Sequence, residues 1–435
     1  MDQEGAGLAR GARSAMTDPG SVRRTIEAVW RIDSARIIGA LVRYTGDFAL
    51  AEDVAQEALA EAMVGWPRDG IPASPAGWLV AVGRRRAIDA FRRRALQDAK
   101  YGQLARDAEA AGETESAPDE LFDPDRVADD RLALLFIACH PVLSKESQIA
   151  LTLRVVGGLS SDQIARAFLV PVPTIQARIT RAKKTLNAAR VPFGVPPATE
   201  RKERIAVVLN VIYLIFTEGS NASVGDEVLV VDLASEAIRL ASMVAELESS
   251  EPEAYGLLAL CELTAARFPA RVDPGGEPIL LADQDRRRWN RSAIGRGTAA
   301  LAKASSFGRG LGPYGLQAAI AACHATARTI EDTDWERIVI LYEALGRIAP
   351  SPIVELNRAV AISMATGPAD ALPLVDDLVA RDVLRGSQLL PSVRGELLIR
   401  LGRPAEARQE LELAIRLTGN SRERGVLERK LANLE

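Results

Sequence analysis

Histidine and cysteine are scarce in this chain, two and three residues among 435, and no two cysteines form a C-x-x-C pair. That leaves neither a disulfide framework nor a zinc-ribbon pattern and points to a reducing compartment. Aromatic residues amount to only 5%, and apolar positions seldom alternate as they do in half-buried strands. Nor does any apolar run reach the roughly 18 residues that a membrane-spanning helix needs. The first 20 residues carry acidic charges and glycines where a secretory signal has an apolar stretch. The expectation is a soluble, cytoplasmic protein with no membrane partner. Charge of one sign is also lacking: the formal net charge is -4, which by itself would not suggest a polyanion partner.

The distribution of charge changes that reading. Residues 21–97 carry net +3 and residues 131–190 net +7, whereas the intervening 98–130 carry net -8. Two basic segments are masked by acidic neighbours, so the balanced total is uninformative about either. A chain of 435 residues also exceeds what one core supports, and two to four domains are expected.

Abundant alanine and leucine with apolar residues at i, i+3, i+4 predict an all-α protein. Ile26, Val29, Trp30, Ile37, Ile38, Leu41 and Val42 mark one helix, and Ala49 to Val64 a second that should end before Gly65 and Pro67. After a loop from Trp66 to Ala73, Ser74-Pro75 opens a helix reaching about Arg94. Residues 98–130, rich in Ala, Glu, Asp and Gly, read as an acidic linker. Residues 131–190 read as four short helices, and 200–435 as a further helical domain. In that last part Gly395, Ala407 and Ala414 have the spacing of small packing positions in a tetratricopeptide helix pair. Stepping back 34 residues gives Ala361, Pro373 and Ala380, of which Pro373 does not fit.

The chemistry concentrates in the two basic segments. From Leu159-Ser160-Ser161 through Ile164-Ala165 to Pro173-Thr174-Ile175 the order is helix-turn-helix, with a serine cap and a proline at the second helix start. On that second helix Ile175, Ile179, Ala182 and Leu186 form one stripe. Gln176, Ala177, Thr180, Arg181 and Lys184 occupy the other face, flanked by Arg178 and Lys183. One side packs and the other offers amide, hydroxyl and cationic groups, as a recognition helix requires. Arg84, Arg85, Arg86, Arg92, Arg93 and Arg94, offset by Asp89, form the other cluster, a candidate phosphate-binding surface.

These motifs resemble a known family. Asp47 to Ala58, then Trp78-Leu79 and Arg84 to Arg94, are similar to region two of bacterial RNA polymerase sigma factors of the extracytoplasmic-function type; Leu159 to Ala165 and Thr174 to Lys183 are similar to their region four. The resemblance implies that Glu52, Asp53, Gln56 and Glu57 dock on the clamp helices of core RNA polymerase. It implies that Arg84, Arg85, Arg86, Asp89, Arg92 and Arg93, with the loop from Trp66 to Ala73, engage the minus-ten element in melted DNA. Thr174, Gln176, Ala177, Arg178, Thr180, Arg181 and Lys184 would enter the major groove at the minus-thirty-five element of double-stranded promoter DNA. Arg85 departs from the family pattern, which has Asn there. Promoter opening needs no catalytic side chain, because binding stabilises the unstacked bases.

The remaining roughly 240 residues resemble the sigma-factor subgroup with a fused tetratricopeptide-like domain, carried by Phe216 to Ser220, Arg271 to Gly276, and Asp283-Gln284-Asp285 with Trp289. Such a domain implies a protein partner and control of polymerase assembly. No catalytic residue, cofactor or metal is expected. Gly308-Arg309-Gly310-Leu311-Gly312 lacks the Lys-Ser/Thr of a phosphate loop, and Cys139-His140 and Cys323-His324 sit in apolar stretches that suit buried thiols. Asp273, Asp283 and Asp285 fit turns, and Trp289 fits a buried anchor better than a stacking platform. Two other readings compete with a sigma factor: a free-standing helix-turn-helix regulator, and a tetratricopeptide-type adaptor.

Overall fold

The computed structural model describes residues 19–95, 124–168, 170–220 and 230–434. The N-terminal stretch and most of the acidic linker lie outside the described residues. Among the described residues there is no strand, only an isolated antiparallel bridge between Val272 and Pro278. No helix among them is long and apolar enough to cross a membrane. The chain divides into two compact units, one of Met1–Ile137, Thr152–Leu159 and Arg181–Val195, the other of Ala138–Leu151, Ser160–Thr180 and Pro196–Glu435.

The first unit is built on helices α1 (Pro19–Thr45), α2 (Phe48–Asp69) and α3 (Pro75–Ala95), each packed against the other two. Val22, Ile26, Trp30, Ile37, Ile38 and Leu41 of α1 are all buried, so the i, i+3, i+4 stripe read from sequence is the core face. Asp47 caps α2 by accepting the Leu50 amide at 3.0 Å.

At the other end of α2 the sequence expectation needs correcting. The helix does not stop before Gly65 but continues through Pro67 to Asp69 and ends at Gly70, whose φ of +89° breaks the spiral. Trp66 explains the extension: it is 2% exposed and meets Trp78 of α3 edge-on, with ring centroids 5.5 Å apart. Burial of that indole is worth more than the one backbone hydrogen bond a proline removes. The expected loop from Trp66 to Ala73 is thereby reduced to Gly70–Ser74.

Residues 124–188 form four helices, as expected: α4 (Pro124–Ala138), α5 (Lys145–Val155), α6 (Ser161–Ala167) and α7 (Val172–Ala188). Asp130 on α4 is buried and paired with Arg43 of α1. Both residues lie in the first unit.

The larger part of the second unit is a run of helices in which neighbours pack in succession: α8 (Ala198–Ser220), α9 (Val231–Leu247), α10 (Pro252–Ala265), the single turn α11 (Phe268–Arg271), α12 (Arg291–Ser305), α13 (Pro313–Thr326), α14 (Trp335–Ile348), α15 (Pro352–Ala365), α16 (Pro368–Ala380), α17 (Leu389–Arg400), α18 (Pro404–Leu417) and α19 (Ser421–Ala432). Short connections and a proline at the first helical position recur through the array. Helices α10 and α13 approach so closely that a Cβ on Gly256 would lie 2.7 Å from the Gly315 backbone nitrogen.

The repeat register also differs from the 34-residue step. Ala371 and Leu378 of α16 are buried where Ala407 and Ala414 are buried in α18, an offset of 36 residues; Pro373 and Ala380 are exposed. The cause is the turn after α16, where Asp382, Leu384 and Gly386 all adopt positive φ and lengthen the connection. Ile338 and Leu345 of α14 show the same seven-residue pair one hairpin earlier.

A candidate nucleic-acid and polymerase interface

The helix-turn-helix reading is realised locally. Ser160 accepts the Gln163 amide at 3.2 Å while the Gln163 side chain accepts the Ser160 amide at 2.8 Å, closing a capping box at the start of α6. Ile164 and Ala165 are buried. On the continuous helix α7, the stripe Ile175, Ile179, Ala182 and Leu186 is buried along its whole length. Gln176, Ala177, Thr180, Arg181 and Lys184 are exposed, and Thr174 and Arg178 are half-buried. The polar face is therefore open to a ligand, and its groups are amide, hydroxyl and cation.

Lys183 behaves differently. Its ammonium reaches back to α2, donating to the Glu52 carboxylate and, at 2.7 Å, to Asp53 Oδ1. Burial alone would lower its pKa, but the two carboxylates outweigh that effect and hold it above the usual lysine value. Arg154 on α5 adds a second cation to Glu52 at 3.4 Å and donates to the Leu159 carbonyl at 3.2 Å.

Glu52 consequently does not lie on an open face, as the sequence reading supposed: it is 2% exposed, and residues far along the chain cover it. Of the other three residues expected on that face, Asp53 and Glu57 are exposed and Gln56 is half-buried.

The arginine cluster on α3 is less uniform than six free cations. Arg84 lies over the Tyr44 ring at 5.3 Å. Arg85 and Arg86 share one carboxylate, Glu61 of α2, at 2.8 and 2.6 Å. The hydrogen bond from Glu61, with its charge, raises the Arg86 pKa further. Arg92 stands 4.0 Å from Asp89, and Arg93 donates to the Asp89 carbonyl at 3.3 Å. Helical geometry is the reason: six arginines in eleven residues must point around the helix, and Arg85, Asp89, Arg92 and Arg93 form the exposed strip.

Tyr44, Glu61 and Arg154 were missed from the sequence. Glu61 follows Glu57 by four residues on the outer side of α2, which is a weak signal, whereas nothing local marks Tyr44 or Arg154.

Other motifs resolve as structure. The first amides of α13, just after the glycine-rich segment, donate to Glu253: Tyr314 at 2.8 Å and Gly315 at 3.1 Å. A protein carboxylate thus fills the seat an anion would take at that helix N-terminus. Trp289 is 2% exposed, held between the guanidinium groups of Arg267 and Arg286 at 5.6 and 4.9 Å. Arg286 donates to the His324 and Ala327 carbonyls at 2.7 and 3.1 Å. Asp273 and Asp285 accept backbone amides in turns. Among the described residues no group of three or more His, Cys, Asp or Glu is placed to hold a metal ion, and all three cysteines are buried.

Comparison with known proteins follows the same division. Residues 33–97 match the family model for sigma-70 region 2, residues 133–186 that for sigma-70 region 4, and residues 204–305 a family of unknown function, DUF6596. An uncharacterised protein of Rhizobium meliloti is 46% identical over 398 residues, covering 91% of this chain and 93% of that protein. The probable ECF RNA polymerase sigma factor SigI of Mycobacterium tuberculosis is 27% identical over 180 residues, 40% of this chain and 59% of SigI. The RNA polymerase sigma-H factor of Pseudomonas aeruginosa is 29% identical over 159 residues, 36% of this chain and 82% of that factor. Among solved structures, a thermophilic TPR protein of Thermus thermophilus aligns over 47% of this chain and 91% of its own, with 16% identity and a TM-score of 0.31. With regions 2 and 4 in this order and relatives among the extracytoplasmic-function factors, the chain belongs to the sigma-70 family and shares the architecture of its Rhizobium relative over nearly the whole length.

Proposed function

We propose that the protein binds core RNA polymerase and directs promoter recognition, strand opening and transcription initiation in the cytoplasm, with its C-terminal helical array regulating that assembly or recruiting a protein to it. The observation that carries this reading is α7: a fully buried apolar stripe backed by an exposed face of Gln176, Ala177, Thr180, Arg181 and Lys184. In this reading that face, with Thr174 and Arg178, meets the minus-thirty-five element in the major groove. Arg85, Asp89, Arg92 and Arg93 follow the melted minus-ten strand, with Arg84 and Arg86 behind them, and Asp53, Gln56 and Glu57 join Glu52 in polymerase docking. Nothing in these roles demands a catalytic group: charge neutralisation of phosphates gives affinity, and base-edge contacts give sequence.

Reconstitution of the full chain with core RNA polymerase, followed by transcription from candidate promoters, tests the proposal. Specific initiation is expected. Arg181→Ala should abolish promoter selectivity while leaving core binding intact, since a lost bidentate base contact costs about 1–3 kcal/mol. Absence of any core binding by the wild-type chain would overturn the sigma-factor reading, and unchanged selectivity in Arg181→Ala would overturn the groove assignment.

A further inference from the structure

We propose that Lys183 and Arg154 form a latch on Glu52 and Asp53 that closes the docking side of α2 in the free protein, so that polymerase binding and latch opening compete. The proposal rests on the docking role given to α2 above.

Three observations carry it. The contact lies inside one compact unit: Thr152–Leu159 and Arg181–Val195 group with α1 to α3 and not with the remainder of α5 to α7. Its centre is charged, since Glu52 receives two cations and Lys183 bridges Glu52 to Asp53. Beside it lies a cleft of about 400 Å³ whose lining includes Asp47, Phe48, Lys183, Leu186, Arg190 and Phe193.

A permanent interface packs to interior density and leaves few voids larger than a water molecule. This one keeps an open, partly polar cleft at its edge. Its charged centre also suits reversal. Taking Glu52, Arg154 and Lys183 out of water costs nearly what their attraction returns, so such a cluster fixes which surfaces meet without holding them tightly. Lys183 is thereby separated in role from Arg181 and Lys184. Those two face outward, whereas Lys183 turns toward α2 and closes the contact. One carboxylate pair serves two partners: it is satisfied internally until polymerase presents its own cations.

The test uses the full chain with spin labels at two exposed positions, Met63→Cys on α2 and Ala188→Cys at the end of α7, the native cysteines being buried. Double electron–electron resonance should give one narrow, short distance in the otherwise wild-type chain. Arg154→Gln with Lys183→Gln should spread it to longer values, and Lys183→Arg, which keeps the charge, should hold it short. Core-polymerase affinity, measured by anisotropy, should tighten about tenfold in the double glutamine variant, as expected when a closed state dominates and the competent state is a minor population. An unchanged distance in the double variant, folded by its circular dichroism, would overturn the latch. A lengthened distance with unchanged core affinity would overturn its control of docking. Should even the wild-type chain fail to bind core polymerase, the docking reading falls while the distance measurement still decides whether the latch exists.

Discussion

Replacing His324 with glutamine should flatten the acid limb of this protein's stability. His324 lies at the end of α13, edge-on to Trp335 with ring centroids 5.1 Å apart, and its Nδ1 is buried without a partner. Burial disfavours the imidazolium, and Arg267 and Arg286 add like charge, pushing the pKa from 6.5 down to about 4. The sign follows from linkage. In the unfolded chain the ring takes up its proton near pH 6.5, but in the folded chain only near 4. The folded state is therefore fully favoured above 6.5 and loses that advantage progressively as pH falls toward 4. At 1.36 kcal/mol per pKa unit the loss amounts to about 3 kcal/mol, a large share of a typical domain's stability. Urea unfolding between pH 7 and 4, followed by tryptophan fluorescence, should show a midpoint that drops in the wild type and drops less in His324→Gln. The only other histidine is His140, so imidazole NMR of His140→Gln assigns the titration directly. A His324 pKa near 6.5, or the same acid limb in His324→Gln, would refute the reasoning.

Other perturbations follow from particular contacts. Gly256→Ala would drive a methyl into the Gly315 backbone at 2.7 Å and should destabilise the α10–α13 crossing by about 1–3 kcal/mol in denaturant titrations; a neutral effect would mean that the helices separate freely. Glu253→Ala strips the Tyr314 and Gly315 amides of their acceptor, at a cost of about 1–3 kcal/mol, with hydrogen exchange accelerated at the first turn of α13. Glu61→Gln frees Arg85 and Arg86 from their shared carboxylate. DNA binding by the full chain should tighten at low salt and gain a steeper salt dependence, and an unchanged slope would show that these arginines do not face phosphate.

Much of the local structure was legible because it depends on neighbours in sequence. The buried stripe of α7, the Ser160 cap, the proline-led helix at Pro75 and the four-helix count of residues 124–188 all rest on spacing or on a side chain bonding its own backbone. The misread elements were decided at a distance. Pro67 stays helical because Trp66 is pinned by Trp78, and the repeat offset is 36 rather than 34 because of three positive-φ residues in one turn. Glu52 looked like surface because its partners stand 102 and 131 residues further along the chain.

By itself the sequence determined an all-α protein of segregated charge, with a helix-turn-helix and an arginine-rich helix in family order, since periodicity, caps and composition act through adjacent residues. Only the tertiary structure decided which charges are available. Arg85 and Arg86 are held by Glu61, Arg84 lies over Tyr44, and Lys183 turns from the recognition face to close on Glu52. A charge's availability is set by its Coulomb partners and its exposure to water, and both depend on which distant segments the fold brings within a few ångströms.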